Sequence, residues 1–352
     1  MSEPVRSHDE LVARFDDGID LARVRQLLQE ARERGGPAQE TVTTLNLVGV
    51  YFTLAQYERV QAGLDNAALL HPSRLVVLVA DESVKVDGVT ARVSVVRSAG
   101  AICMERVVLT ATGRAVRHLE SALLGLLLPE LPLVVVWGGR PQGDLLRRVV
   151  ESADRIIIDS GARPPAFLRE TAALVAKGAP IGDLAWARLF PWQALAAETL
   201  DLPNLREHRG NIQSTRVVCA GGLGAEGILL AGWMSSRIKR IQVELKAEGE
   251  ARAPDEEQAA TSSTPTAAPL TLGQVQLFEF TAPPATFTFR RERNILVAEV
   301  RGDDDGEVVH RVRMPPEAPG RLLALELKLL AGADELYVAS LQAGVKLLGR
   351  VS

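Results

Sequence analysis

Apolar residues along this chain recur with two periods. Leu21, Val24, Leu27, Leu28 and Ala31 stand among dense charge at helical spacing, and Gly35-Gly36-Pro37 ends the run. This predicts an N-terminal helical arm over residues 1–40. Thr41 to Phe52 then reads as strand, the stretch to Leu70 as helix and the short apolar run Leu75 to Val79 as strand. The alternation repeats, with strands at Met104 to Leu109, Leu133 to Val136 and Arg155 to Ile158, and helices at Arg114 to Leu127 and Asp144 to Ser152. A last unit follows: strand Thr215 to Ala220, helix Ala225 to Arg237, strand Arg240 to Leu245. Strands that are apolar throughout need cover on both faces. The fold class is therefore α/β, a largely parallel or mixed sheet flanked by helices.

Beyond Leu245 the pattern changes. Ala247 to Pro269 has no large apolar residue, five acids and three prolines, so burial cannot offset the entropy of ordering it and disorder is expected. It either links two domains or forms a loop within one sheet, in which Arg240 to Leu245 pairs with Gln274 to Phe280. Past it, Thr286 to Phe289, Ile295 to Val300 and Glu307 to Val312 alternate like antiparallel strands, with Asp303-Asp304-Asp305-Gly306 as a turn. Tyr337, Leu341, Val345 and Leu348 recur at helical spacing behind Asp334, a suitable N-cap. The organisation is a helical arm (1–40), an α/β domain (41–246), a disordered acidic linker or loop (247–269) and a smaller β-rich α+β region (270–352).

Composition narrows the function. Of 352 residues 47% are hydrophobic but only 4% aromatic, which suits an aliphatic core rather than a base-stacking surface. A formal net charge of -4 gives no electrostatic reason to expect nucleic acid as a partner. Two distant cysteines, Cys103 and Cys219, exclude a disulfide-rich scaffold, and both read as small core hydrophobes. The opening MSEPVRSHDELVARF lacks the apolar stretch of a signal peptide, and Leu119 to Trp137 is broken by Glu120, Pro129, Glu130 and Pro132. A cytoplasmic protein without a membrane span is expected.

Candidate chemistry is sparse. None of the five histidines is paired at i, i+4 or placed beside a cysteine, so no metal site is expected, and no nucleophile elbow or phosphate loop occurs. Gly222-Leu223-Gly224-Ala225-Glu226-Gly227 follows a strand and opens a helix, with Glu244 at the end of the next strand, as in the dinucleotide fingerprint. Gly222, Gly224, Gly227 and Glu244 are thus cofactor candidates for a nucleotide-dependent oxidoreductase. The alternative is a glycine-rich packing turn without a cofactor, since Glu226 would set a negative charge near a pyrophosphate. Ligands of open sheets settle at strand carboxyl ends, which makes Trp137, Asp159 and Ser160 a candidate crevice, for instance for a sugar phosphate. Trp186, Arg188 and Trp192, of types enriched at binding hot spots, are partner-binding candidates unless both tryptophans are core.

Several stretches in order resemble one family. They are His71-Pro72-Ser73-Arg74, His118-Leu119-Glu120-Ser121, Leu126 to Pro132 with Trp137, and Ala153 to Ser160. Asp183 to Leu189 with Pro191-Trp192, and Leu229 to Arg237, complete the set. The chain resembles the glucose-6-phosphate dehydrogenase assembly proteins, the OpcA family, well over residues 41 to 240 and more loosely beyond. The resemblance implies a non-catalytic allosteric activator and assembly factor of glucose-6-phosphate dehydrogenase, serving the oxidative pentose phosphate pathway, with no catalytic residue of its own.

Overall fold

The structure, a computed structural model, describes residues 6–7, 10–16, 18–34, 43–98, 101–139, 151–161, 163–249, 272–302, 307–314, 319–328 and 334–351. Its contacts divide the chain into two units. The first draws on Met1–Ile158, Ala179–Ile181 and Ala318–Gly332, the second on Asp159–Gly178, Gly182–Glu317 and Ala333–Ser352.

The first unit is built on a mixed sheet. Strands β1 (Arg6–Ser7) and β2 (Leu11–Phe15) precede helix α1 (Leu21–Arg34), and β3 (Leu45–Tyr51) leads into α2 (Leu54–Leu70). Strands β4 (Ser73–Asp81), β5 (Gly88–Ser98) and β6 (Ala101–Thr112) follow, then a 3-10 turn Gly113–His118 running into α3 (Leu119–Leu126). Strands β7 (Leu133–Trp137), β8 (Arg155–Ile158) and β9 (Ile181–Asp183) complete the sheet, β9 through its first residue. The order is β1-β5-β6-β4-β3-β7-β8-β9, with β2 also on β5. From β6 through β8 neighbours run parallel, and every residue of β3 is buried, as a strand covered on both faces requires.

Two expectations are corrected here. The N-terminal arm is not wholly helical, because Leu11 to Phe15 pairs antiparallel with β5 and covers an edge that would otherwise be open. Strand β5 itself, also antiparallel to β6, falls in none of the expected elements. Its signal in the sequence is an alternation of apolar Val89, Ala91, Val93 and Val95 with polar Thr90, Arg92 and Ser94, of which Ser94 is itself buried and accepts from Arg106 Nε at 3.0 Å. The helix expected over Asp144 to Ser152 lies almost entirely outside the described residues.

Local chemistry explains the helix ends. Thr53 caps α2 by accepting from Gln56 N–H at 3.2 Å, while Gln56 Oε1 accepts from Phe52 N–H at 3.0 Å, a variant of the capping box. His71-Pro72 ends α2, since proline cannot continue it, and His71 Nε2 lies 3.1 Å from the Ala324 carbonyl of α8 (Pro319–Glu326). Arg74 of β4 grips Glu105 of β6 with two bonds of 3.0 and 2.8 Å, and Arg32 of α1 holds the other oxygen at 2.5 Å. Burial works to raise the Glu105 carboxyl, but the two guanidinium groups outweigh it and hold it below its ordinary value.

The second unit has its own six-stranded sheet. Helices α4 (Ala166–Val175), α5 (Leu184–Arg188) and α6 (Phe190–Asp201) come first, and α7 (Ala225–Arg237) joins the parallel pair β10 (Ser214–Ala220) and β11 (Gln242–Glu248). A meander of β12 (Val275–Ala282), β13 (Ala285–Glu292), β14 (Ile295–Arg301) and β15 (Glu307–Arg313) continues it in the order β11-β10-β12-β13-β14-β15. Phe278, Phe280, Phe287 and Phe289 form one buried aromatic cluster. Of the two arrangements left open for 247–269, the sheet is the one that takes strands from both sides of that stretch. Strand β10 lies between β11 and β12, so the expected α/β domain 41–246 and C-terminal region 270–352 share a sheet, and Gln274 to Phe280 pairs with β10 rather than with β11. Ala247 and Glu248 belong to β11, whereas 250–269 lie outside the described residues.

Helix α9 (Glu335–Val351) begins behind Asp334, whose Oδ1 accepts from Leu336 N–H at 2.8 Å, and it crosses α7 at two glycines. A Cβ on Gly232 would run into the Ser340 carbonyl oxygen and approach Gly344 N to 2.7 Å, so the backbones touch where no side chain fits. Gly232→Val is expected to lose about 1–3 kcal/mol through overpacking. Gly349→Ala on the same α9, where nothing lies within 4 Å, should be neutral or slightly stabilising. Urea unfolding of both variants checks the contrast. Among the described residues, no helix is long and apolar enough to cross a membrane, and no cluster of three or more His, Cys, Asp or Glu is placed to hold a metal ion.

Candidate functional site

Asp159 and Ser160 follow β8 directly and open the second unit, where they join a buried polar network. Arg188, at the end of α5, clamps Asp159 with two parallel bonds, Nη1 to Oδ1 at 2.8 Å and Nη2 to Oδ2 at 2.7 Å. Desolvation works to raise the Asp159 carboxyl, but this charge-assisted pair holds it below its ordinary value. Arg188 Nε also lies 4.0 Å from Glu226 Oε1, a buried carboxylate in the first turn of α7, where the helix dipole favours negative charge.

Ser160 is buried, and both of its donors serve Asp183, N–H to Oδ1 at 3.1 Å and Oγ to Oδ2 at 2.5 Å. Asp183 is wholly buried as the N-cap of α5, accepting from Ala185 N–H at 3.0 Å, and Tyr337 of α9 donates its hydroxyl to Oδ2 at 3.3 Å. Burial, reinforced by the nearby charge of Asp159, pushes the Asp183 carboxyl up to about 6 against the pull of the Ser160 bonds. Trp186 donates Nε1–H to Asp334 Oδ2 at 2.8 Å, so the N-cap of α9 is tied to α5 as well. The network can hold charge, and a proton at Asp183, in a fixed place. The Ser160 hydroxyl is committed to a carboxylate rather than to an imidazole.

The residues singled out from sequence are distributed differently from expectation. Trp186 and Trp192 are 8% and 1% exposed, so neither presents a side chain for docking, and Arg188 is spent on Asp159; what that segment exposes is Phe190, at 67%. Helix periodicity explains this, because Trp192, Leu195, Ala196 and Thr199 share the inward face of α6. Trp137 belongs to the first unit, buried edge-on against Phe52 with ring centroids 5.6 Å apart, whereas Asp159 and Ser160 belong to the second.

The glycine run does sit between a strand and a helix, but its own chain fills it. A Cβ on Gly224 would strike the Gly273 backbone, one on Gly227 would strike Cys219 Sγ, and one on Gly222 would come within 3.2 Å of Leu272. These glycines let α7 lie close on β10 and let the approach to β12 cross above the turn. Glu244 is half-exposed and bonded to Lys246 at 2.6 Å. Cys219 is buried, and desolvation pushes its thiol up to about 11, so it stays protonated at neutral pH. The Cys103 side chain lies outside the described residues.

Asp183, Tyr337 and Asp334 were not read from sequence as members of one site. Asp183 carries a visible signal, an N-cap carboxylate before Leu184-Ala185-Trp186. Tyr337 is indistinguishable from an apolar helix position until the packing partner is known.

The family described as the glucose-6-phosphate dehydrogenase subunit N-terminal domain matches residues 64–174, and the corresponding C-terminal domain matches residues 179–341. An OpcA protein of Synechocystis sp., named for the OxPP cycle, is 36% identical over 142 residues, covering 39% of this chain and 30% of that protein. Its namesake in Nostoc punctiforme is 30% identical over 254 residues, covering 63% of this chain and 53% of that protein. The chain thus spans about half the length, or less, of these curated relatives. Among solved structures, the 3-ketoreductase KijD10 of Actinomadura kijaniata, in complex with TDP-benzene and NADP, overlays with a TM-score of 0.46 at 10% identity. That overlay covers 86% of this chain and 96% of the reductase, a likeness too slight to carry chemistry across. Matched in order along most of its length by both domain families, this chain belongs to the OpcA family of glucose-6-phosphate dehydrogenase subunits.

Proposed function

We propose that this chain is a cytoplasmic, non-catalytic partner of glucose-6-phosphate dehydrogenase that promotes its assembly and activates it allosterically in the oxidative pentose phosphate cycle. The observation that carries the reading is the ordered match to both domains of the dehydrogenase-subunit family. The glycine turn supports the non-catalytic part, since residues 222–227 are packed by their own chain and Glu226 is engaged inward.

An activator that adds no chemistry acts by binding the active state of its target more tightly than the inactive one. A coupling of about 1–3 kcal/mol would change substrate affinity roughly 5- to 150-fold, and linkage requires glucose 6-phosphate to tighten the protein complex by the same factor. The expected result is equal factors in two titrations, complex affinity with and without glucose 6-phosphate, and substrate binding by the dehydrogenase with and without this chain. A substrate effect without its counterpart in complex affinity overturns the linkage. Reduction of NADP with glucose 6-phosphate by this chain alone overturns the non-catalytic reading.

A further inference from the structure

On the second unit, α6, the end of α7 and β12 enclose an open groove of about 440 Å³. Its apolar wall is formed by Leu200, Ile212, Trp233, Met234, Ile238 and Phe280. Trp233 is half-buried, resting on Phe278 with ring centroids 6.3 Å apart, so one part of the indole is anchored and another is left toward the groove. Three charged residues stand among the lining. Asp201, the one acid, is neutralised by Arg209, which also donates Nε–H to the Leu200 carbonyl at 2.9 Å. Arg237 is exposed and has no hydrogen-bond or ion-pair partner among the described residues.

The chain immediately after adds to that charge. Lys239 and Arg240 follow the lining residue Ile238, both exposed and likewise unpaired among the described residues, and Arg240 adopts a positive φ of 64° in the turn that enters β11. An apolar trough with Arg237 in its lining and two more exposed cations within the next three residues of the chain is complementary to apolar side chains flanked by carboxylates. A tryptophan wall with arginine at the rim is also the residue make-up of binding hot spots. The three cations follow one another along an exposed stretch of chain, which suits a series of carboxylates on a peptide better than a single small anion.

We propose that this groove docks an acidic, amphipathic segment of a partner protein, with an aromatic or aliphatic anchor against Trp233 and carboxylates against Arg237, Lys239 and Arg240. The proposal rests on the reading of this chain as a partner of glucose-6-phosphate dehydrogenase and names the surface it would use. Two variants of the full chain test it. Ala197→Arg fills the groove from an exposed position of α6 where arginine is a good helix former. Arg237→Glu with Lys239→Glu reverses the rim. Each is expected to retain the wild-type melting temperature and to weaken binding to the dehydrogenase from the same cell at least tenfold, the reversal also abolishing the salt dependence of association. Either variant, folded as the wild type and binding within twofold of it, overturns the proposal. So does saturation of the groove by benzoate at micromolar concentration with complex formation unaffected, which would mark a small-anion site. A wild-type chain that fails to bind the dehydrogenase removes the functional reading itself, a result separable from failure of the variants.

Discussion

Replacing Glu326 by leucine is expected to cost about 3–5 kcal/mol of stability, the largest loss from any single side chain considered. Arg155 of β8 and Glu326 of α8 meet at 2.6 Å in the interior of the first unit, with side chains 1% and 6% exposed. Neither charge retains its hydration, so the pair is held by mutual attraction in a low-dielectric setting. Removing one partner takes a charge-assisted bond from a group that stays buried, which is what makes breaking an interior pair costly. A native domain is stable by only about 5–15 kcal/mol, so such a loss is a large fraction of the total. The double variant Arg155→Leu with Glu326→Leu removes both desolvation costs and should recover most of what either single variant loses. Urea unfolding of the four proteins completes the cycle. If each single variant stays within about 1 kcal/mol of the wild type, the pair is not the desolvated lock that its burial implies.

The second large effect is a pH dependence traced to Asp183. Its carboxyl is raised from 3.8 to about 6, chiefly by burial and then by the charge of Asp159. Between those values the native protein keeps a proton that the unfolded chain releases. The associated stability is therefore fully present below about pH 4 and is lost as pH rises through about 6. The shift corresponds to roughly 3 kcal/mol. Asp183→Asn should remove this slope without breaking the site, because hydrogen-bond geometry permits the swap. Oδ1 accepts two backbone N–H groups, which an amide oxygen can also do, and Oδ2 faces the hydroxyls of Ser160 and Tyr337, which can turn to accept from an amide NH₂. The variant should match the wild type near pH 4 and exceed it by up to about 3 kcal/mol at pH 7. A stability difference that stays flat from pH 4 to 7 would count against a proton held at Asp183.

Much of the secondary structure was legible because short-range pattern encodes it. Helix α7 occupies Ala225–Arg237 as its periodicity predicts, and Asp334 caps α9 as a short polar side chain before a helix should. The parallel core was legible in strands too apolar to face water. Strand β5 was within reach of an alternation count, and β2 became a strand only because β5 offered an edge to pair with.

What the linear chain determined by itself is thus local and compositional: the α/β class, most strand and helix spans, the turn glycines and the ordered motifs that place it in its family. Tertiary structure alone decided which polar groups meet. Arg155 and Glu326 lie 171 residues apart, and Asp183 and Tyr337 lie 154 apart, so no window of sequence contains either pair. It also decided that β10 should sit between β11 and β12, since strand pairing is set by which apolar faces must be buried together, and that Trp186 and Trp192 should turn inward. The physical reason is the same in each case. Helix and strand propensity act over a few residues, whereas the burial of a charge, a ring or a sheet edge depends on what the rest of the chain brings against it.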